Sequence, residues 1–243
     1  ETDKQKTVVT QELNLTCSDD HLAEYPTLDE GNLYGADTCN AVASQKDRAE
    51  CFQTALLQLF NSTEQNIRVC DKFTDNEAFF RCYLGFAQIK RNPCICGSIP
   101  ELFPNTEELR AGCYVYSAIQ FKEEKVCNKI MGTEQKIINL KANCYERIGR
   151  LKKDPEICKA VQTIQGNSDR SDTCLMYVAK SGKKPELCND ILNLSMQEKC
   201  FLQIAVDTED ETLCTKTADQ TLLQSCQAII QQKKQTAQMY VSS

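Results

Sequence analysis

Residues 144–174 read CYERIGRLKKDPEICKAVQTIQGNSDRSDTC. The stretch opens inside a helix and stops at Asp154-Pro155, an N-cap followed by proline at the first helical position. A second helix runs to the Gly166-Asn167-Ser168 turn, and a third begins before Cys174. Its parts recur along the chain, each copy anchored by two cysteines.

One set of cysteines is Cys51, Cys82, Cys113, Cys144, Cys174, Cys200 and Cys226, in steps of 31, 31, 31, 30, 26 and 26. The other is Cys39, Cys70, Cys96, Cys127, Cys158, Cys188 and Cys214. Around the second set an apolar residue precedes the cysteine (Val69, Ile95, Val126, Ile157) and another follows three later (Phe73, Ile99, Ile130, Val161). That stripe predicts a helix, here helix A. Around the first set an aromatic or leucine follows the cysteine, as at Tyr83, Tyr145 and Leu175. The fifth position after it is small: Ala87, Ala118, Gly149, Ala179 and Ala205. This is helix B, whose small residue lets a neighbour come close. Asn92-Pro93 and Pro185 repeat the helix A start, and Gly182 is expected to close a helix B. Thr208, Glu209, Asp210 and Glu211 place acid at a helix N-terminus, where the dipole favours it.

Helix geometry selects the pairing. From helix B to the next helix A the cysteines stand 14 apart, but not level. Cys144 lies about nine residues before the stop, roughly 14 Å, and Cys158 about four after it, roughly 6 Å. Within an A–B hairpin they are level, so antiparallel helices bring the sulfurs together. The expected bonds are Cys39–Cys51, Cys70–Cys82, Cys96–Cys113, Cys127–Cys144, Cys158–Cys174, Cys188–Cys200 and Cys214–Cys226, with Cys17–Cys94 left to pair. The fold class expected is all-α: seven short disulfide-stapled hairpins stacked as a solenoid, with an extended N-terminal arm.

The 243 residues contain 16 cysteines, no Trp and a net charge of −6. That cysteine density belongs to an oxidising compartment, so the chain is expected to be extracellular or at the cell surface. The opening Glu1 is expected if a leader has been removed or the chain was cut there. No run approaches the roughly 20 apolar residues of a membrane span. Interspersed charge argues against nucleic acid or anionic lipid as a partner.

In chain order, residues 1–16 form a polar arm with a β-prone patch at Thr7, Val8 and Val9. Residues 17–38 are an acidic, loop-rich lead-in with the one histidine, His21. Its acids match no EF-hand register and read as a solvated loop. The hairpin domain occupies 39–233 and a polar tail 234–243. Sequons stand at Asn14, Asn61 and Asn193, in the arm, an insertion and a turn.

No catalytic chemistry is legible. A triad would have to use His21, and no G-x-S-x-G, P-loop, G-x-G-x-x-G, H-E-x-x-H or C-x-x-C occurs. The close pair Cys94 and Cys96 is used by the structural pairing. No cofactor or metal is expected, and the chain is expected not to be an enzyme.

The alternating short helices, fixed small residues and period near 30 over 39–233 resemble helical-hairpin solenoids of the tetratricopeptide and Sel1-like classes. The tetratricopeptide Trp and Pro positions are absent, and these cysteines are not part of its signature. The resemblance implies a curved body that presents surface to other macromolecules. Two functions follow. The first is a structural subunit of an extracellular assembly, a filament or layer, joined to other copies through the arm. The second is a monomeric binding module for an extracellular protein or ligand. The A–B spacings of 12, 12, 17, 17, 16, 12 and 12 give hairpins three to five longer connections. Leu102, Phe103, Thr133 and Asn167 would mark that binding face.

Overall fold

The computed structural model describes residues 36–61 and 66–241. All elements among them are helical, and the chain divides into two compact units, Glu1–Gly132 and Thr133–Ser243. The first holds α1 (Ala36–Asn40), α2 (Gln45–Asn61), the 3₁₀ turn η1 (Ile67–Lys72), α3 (Asn76–Ile89), η2 (Pro93–Ser98), α4 (Thr106–Phe121) and η3 (Glu124–Lys129). The second holds α5 (Gln135–Lys152), α6 (Pro155–Gln162), α7 (Ser168–Gly182), η4 (Pro185–Asp190), α8 (Leu194–Thr208), α9 (Glu211–Cys214) and α10 (Gln220–Val241). The fold is an all-α, disulfide-stapled helical repeat.

Six hairpins carry the bonds Cys39–Cys51, Cys70–Cys82, Cys96–Cys113, Cys158–Cys174, Cys188–Cys200 and Cys214–Cys226. Their Cα separations run from 5.4 to 5.9 Å, inside the range a disulfide takes without backbone movement. Cys94, Cys127 and Cys144 are disulfide-bonded as well, and no described cysteine is free.

Helix A departs from expectation. In four hairpins it is a six-residue 3₁₀ turn, and only α6 makes two turns of α-helix. The reason lies in the apolar spacing. A three-residue turn eclipses positions i and i+3, so the cysteine and the residue three later share one face. The amide of that later residue donates to the cysteine carbonyl: Phe73 to Cys70 at 3.1 Å, Ile130 to Cys127 at 3.2 Å, Ile191 to Cys188 at 3.2 Å. The chain then turns extended at Phe73, Ile130 and Ile191, which ends the helix with all three side chains buried.

The junction from helix B back to helix A is equally regular. Each helix B closes on a left-handed residue, Lys122, Lys153, Lys183 or Glu209 directly after the helix and Arg91 one residue further on, with φ between 47° and 58°. The next amide reaches back five residues to a carbonyl: Asn92 to Ala87, Glu123 to Ala118, Asp154 to Gly149, Lys184 to Ala179 and Asp210 to Ala205. This is the Schellman closure, and its acceptors are the small residues of the repeat. In four junctions the donor then caps the following helix with its own side chain, Asn92 onto Cys94 N, Glu123 onto Lys125 N, Asp154 onto Glu156 N and Asp210 onto Thr212 N. Gly182 is therefore not the left-handed cap; Lys183 is. Nor does Thr208 open a helix. It ends α8, its hydroxyl donating to the Ile204 carbonyl, and Asp210 caps α9.

Within each unit successive B helices pack side by side: α2 on α3 and α3 on α4, then α7 against α5 and α8, and α8 against α10. The core of the first unit is aromatic. Phe52 meets Phe73 with ring centroids 5.6 Å apart, and Phe79 meets Tyr83 at 5.1 Å. The second core is built on disulfides: Cys158–Cys174 and Cys188–Cys200 pack with Leu175, Val178, Ile191, Phe201 and Ile204. Residues 234–241, read as a tail, continue α10. Gln, Lys and Ala favour helix, and no glycine or proline interrupts them.

Gly149 is the one glycine at the small position. A β-carbon there would lie 2.9 Å from Cys158 Sγ, 3.0 Å from Cys174 Sγ and 3.3 Å from the Cys158 amide nitrogen. Neither a disulfide nor a backbone amide can swing aside. Gly149→Ala is expected to cost about 1–3 kcal/mol through overpacking. Urea denaturation should show a lower midpoint at unchanged slope, although alanine is native at 87, 118, 179 and 205.

Candidate functional site

Between α2 and α3 lies a cleft of about 660 Å³. Its floor is Phe52, Leu56 and Ala78, all buried. Ala49, exposed on α2, opens its mouth. The rim carries both signs of charge. Part of that charge is already engaged. Arg48 donates to the carbonyls of Val42 at 2.8 Å and Ala43 at 3.3 Å. Asp75 caps α3 by accepting the Ala78 amide at 2.9 Å. Glu77 pairs with Arg81 at 2.6 Å. Lys46, the Glu50 carboxylate and Gln53 also line the cleft. Their side chains make no hydrogen bond or ion pair with the described residues. A buried apolar floor beside uncommitted polar groups is the form of a binding cleft.

Polar groups elsewhere serve the architecture. Asp172 on α7 accepts the Leu192 and Asn193 amides, each at 2.9 Å, and so holds the connection between η4 and α8. Ser171 donates to the Cys158 carbonyl at 2.9 Å. Glu146 on α5 takes Arg150 at 3.2 Å and Arg170 at 3.0 Å, and the Arg150 guanidinium stacks on Tyr177 at 4.9 Å. Lys159 joins Glu156 to Asp190, 3.0 Å from each, and so ties α6 to η4.

Two tyrosines are poised against alkali. Burial, then the hydrogen bond from its hydroxyl to Asp71 at 2.5 Å, pushes Tyr83 far above the ordinary 10. Burial also raises Tyr114, partly offset by the Arg110 charge and the Gly97 amide. The unfolded chain therefore releases these protons first. Stability is full below pH 10 and falls above it, because the native state then holds more protons. Absorbance at 295 nm should show the Tyr83 phenol ionising only as the fold opens, and Tyr114 ionising at higher pH than a free phenol. Tyr83→Phe and Tyr114→Phe should flatten the fall.

Scans of family models, curated proteins and solved structures found no match.

The sequence-predicted site residues differ in their exposure. Leu102 is exposed on the connection between η2 and α4, and Phe103 beside it packs edge-on against Phe79 at 5.0 Å. Thr133 is exposed. Asn167 is not a surface residue: it is buried, its amide donating to the Gln165 carbonyl at 2.9 Å, so it belongs to the turn before α7. The longer spacings are also absorbed differently. In hairpin four the extra residues lengthen α5, and in hairpin five helix A becomes the two-turn α6. Asn61 is the exposed last residue of α2, and Asn193 is the exposed N-cap of α8. Thr7, Val8, Val9, Asn14, Cys17 and His21 lie outside the described residues. The cleft was missed because its walls come from two hairpins. Its signal was the small residue near the start of each helix, Ala49 in α2 and Ala78 in α3.

Proposed function

We propose that this chain is a non-enzymatic extracellular protein that grips a segment of another protein in the cleft between α2 and α3. The cleft itself carries the reading. Its apolar floor would take a hydrophobic side chain, and Lys46, Glu50 and Gln53 would meet the segment's backbone or charges. The disulfides fit an oxidising, extracellular setting, and no described helix is long and apolar enough to cross a membrane. Buried Asp172 and Ser171, bonded to the backbone of neighbouring segments, support a scaffold role. Assembly into a filament or layer is the same reading with a second copy as partner, its arm around Val8 and Val9 being the segment held.

A photo-crosslinking residue at Gln53 tests both. In the native medium an adduct is expected from position 53 and not from a control at Lys216, which is also exposed. Ala49→Trp, which fills the cleft from an exposed position, should abolish it. An adduct of twice the chain mass means assembly, and a different mass means a binding module. Absence of any adduct at position 53 overturns the proposal.

A further inference from the structure

Of the three sequons, Asn193-Leu194-Ser195 is the one whose asparagine and hydroxyl residue both stand among the described residues. Its asparagine is held in a particular way. Asp172 fixes its backbone amide at 2.9 Å, and its own Oδ1 accepts the Met196 amide at 3.1 Å to cap α8. The carbonyl end of the side chain is thus turned to the helix and Nδ2 away from it. Nδ2 makes no hydrogen bond with the described residues, and both Asn193 and Ser195 are exposed.

A leucine stands on either side of Asn193. Leu192 is 64% exposed and Leu194 is 74% exposed. A single exposed leucine is ordinary, but two flanking one turn leave an apolar patch open to water. Asp172 prevents the connection from folding them inward, because it also fixes the Leu192 amide at 2.9 Å. Nothing among the described residues buries them.

We infer that Asn193 carries an N-linked glycan, and that its first sugars shelter Leu192 and Leu194. The donor is an oligosaccharide linked to a lipid phosphate. The bond from Asn193 Nδ2 to the anomeric carbon forms, the bond from that carbon to the phosphate oxygen breaks, and Nδ2 gives up one proton as the lipid phosphate departs. Oδ1 takes no part, so the cap on α8 persists after transfer. The glycosylated residue still accepts from Met196, and the sugar extends on the solvent side. This inference rests on extracellular placement and not on the cleft.

The test is peptide mapping of the full secreted protein. The tryptic peptide containing Asn193 is expected to carry hexosamine, and amidase release in heavy-oxygen water should convert Asn193 to labelled Asp. Asn193→Asp keeps a capping acceptor, and Ser195→Ala keeps the asparagine; both should abolish the glycan while far-UV dichroism is unchanged. Each should also raise fluorescence of an apolar surface dye several-fold, and adding Leu192→Ser with Leu194→Ser should remove that rise. An unmodified Asn193 in the secreted protein overturns the site. A glycan whose loss leaves dye binding unchanged overturns the sheltering.

Discussion

Full reduction is expected to abolish the fold at room temperature. Each unit holds three hairpin bonds spanning 12 to 17 residues of sequence, Cys39–Cys51, Cys70–Cys82 and Cys96–Cys113 in one, Cys158–Cys174, Cys188–Cys200 and Cys214–Cys226 in the other. Loops of that size contribute about 3 kcal/mol apiece when closed by a disulfide. Three of them approach the whole 5–15 kcal/mol that separates a typical domain from its unfolded state. The helix A segments cannot compensate, since a six-residue 3₁₀ turn has no independent stability. The oxidised protein should therefore melt high, and reductant should lower the melting temperature by tens of degrees, with near-ultraviolet dichroism lost. Removing only the last bond, by Cys214→Ser with Cys226→Ser, should act locally. It should raise amide exchange in α9 and α10 and spare the other hairpins, because a repeat contacts chiefly its neighbours. A melting temperature within a few degrees after full reduction would refute this account.

The hairpins were legible because a disulfide imposes a distance and an antiparallel pair imposes a level. Cys158 and Cys174 satisfy both across one turn, whereas Cys144 and Cys158 cannot. The nature of helix A was not legible. Val69, Cys70 and Phe73 give the same stripe in an α-helix as in a 3₁₀ turn, and the segment is too short for the two periods to diverge. The left-handed residues were hidden for another reason. Lys122, Lys153 and Lys183 stand where glycine is usual, and the glycine nearest one of these closures, Gly182, lies one residue early. What forces them is the return bond to Ala118, Gly149 and Ala179, which no local propensity reports. The cleft escaped because its floor joins Phe52 and Leu56 to Ala78, residues of different hairpins related only through packing.

Replacing Asp172 should give the largest loss of any single side chain outside the disulfides. Asp172 is 1% exposed and uses one carboxylate oxygen for the Leu192 amide and the other for the Asn193 amide. Hydrogen bonds to a charged acceptor contribute about 1.5–3 kcal/mol each, and a buried amide left bare costs a further desolvation penalty. Asp172→Ala removes both acceptors and is expected to cost about 3–5 kcal/mol. Asp172→Asn separates bonding from packing, because it keeps the shape while turning one acceptor into a donor that faces an amide. It should still cost about 2–3 kcal/mol, against roughly 1 kcal/mol for Asn193→Ala, which loses only the cap on α8. The damage should centre on hairpin six, where the connection between η4 and α8 would detach from α7. Faster exchange of the Leu192 and Asn193 amides, together with a lower urea midpoint, would show it. If Asp172→Asn melts within a degree of the parent, the carboxylate does not hold this connection, and water must satisfy the two amides in its place.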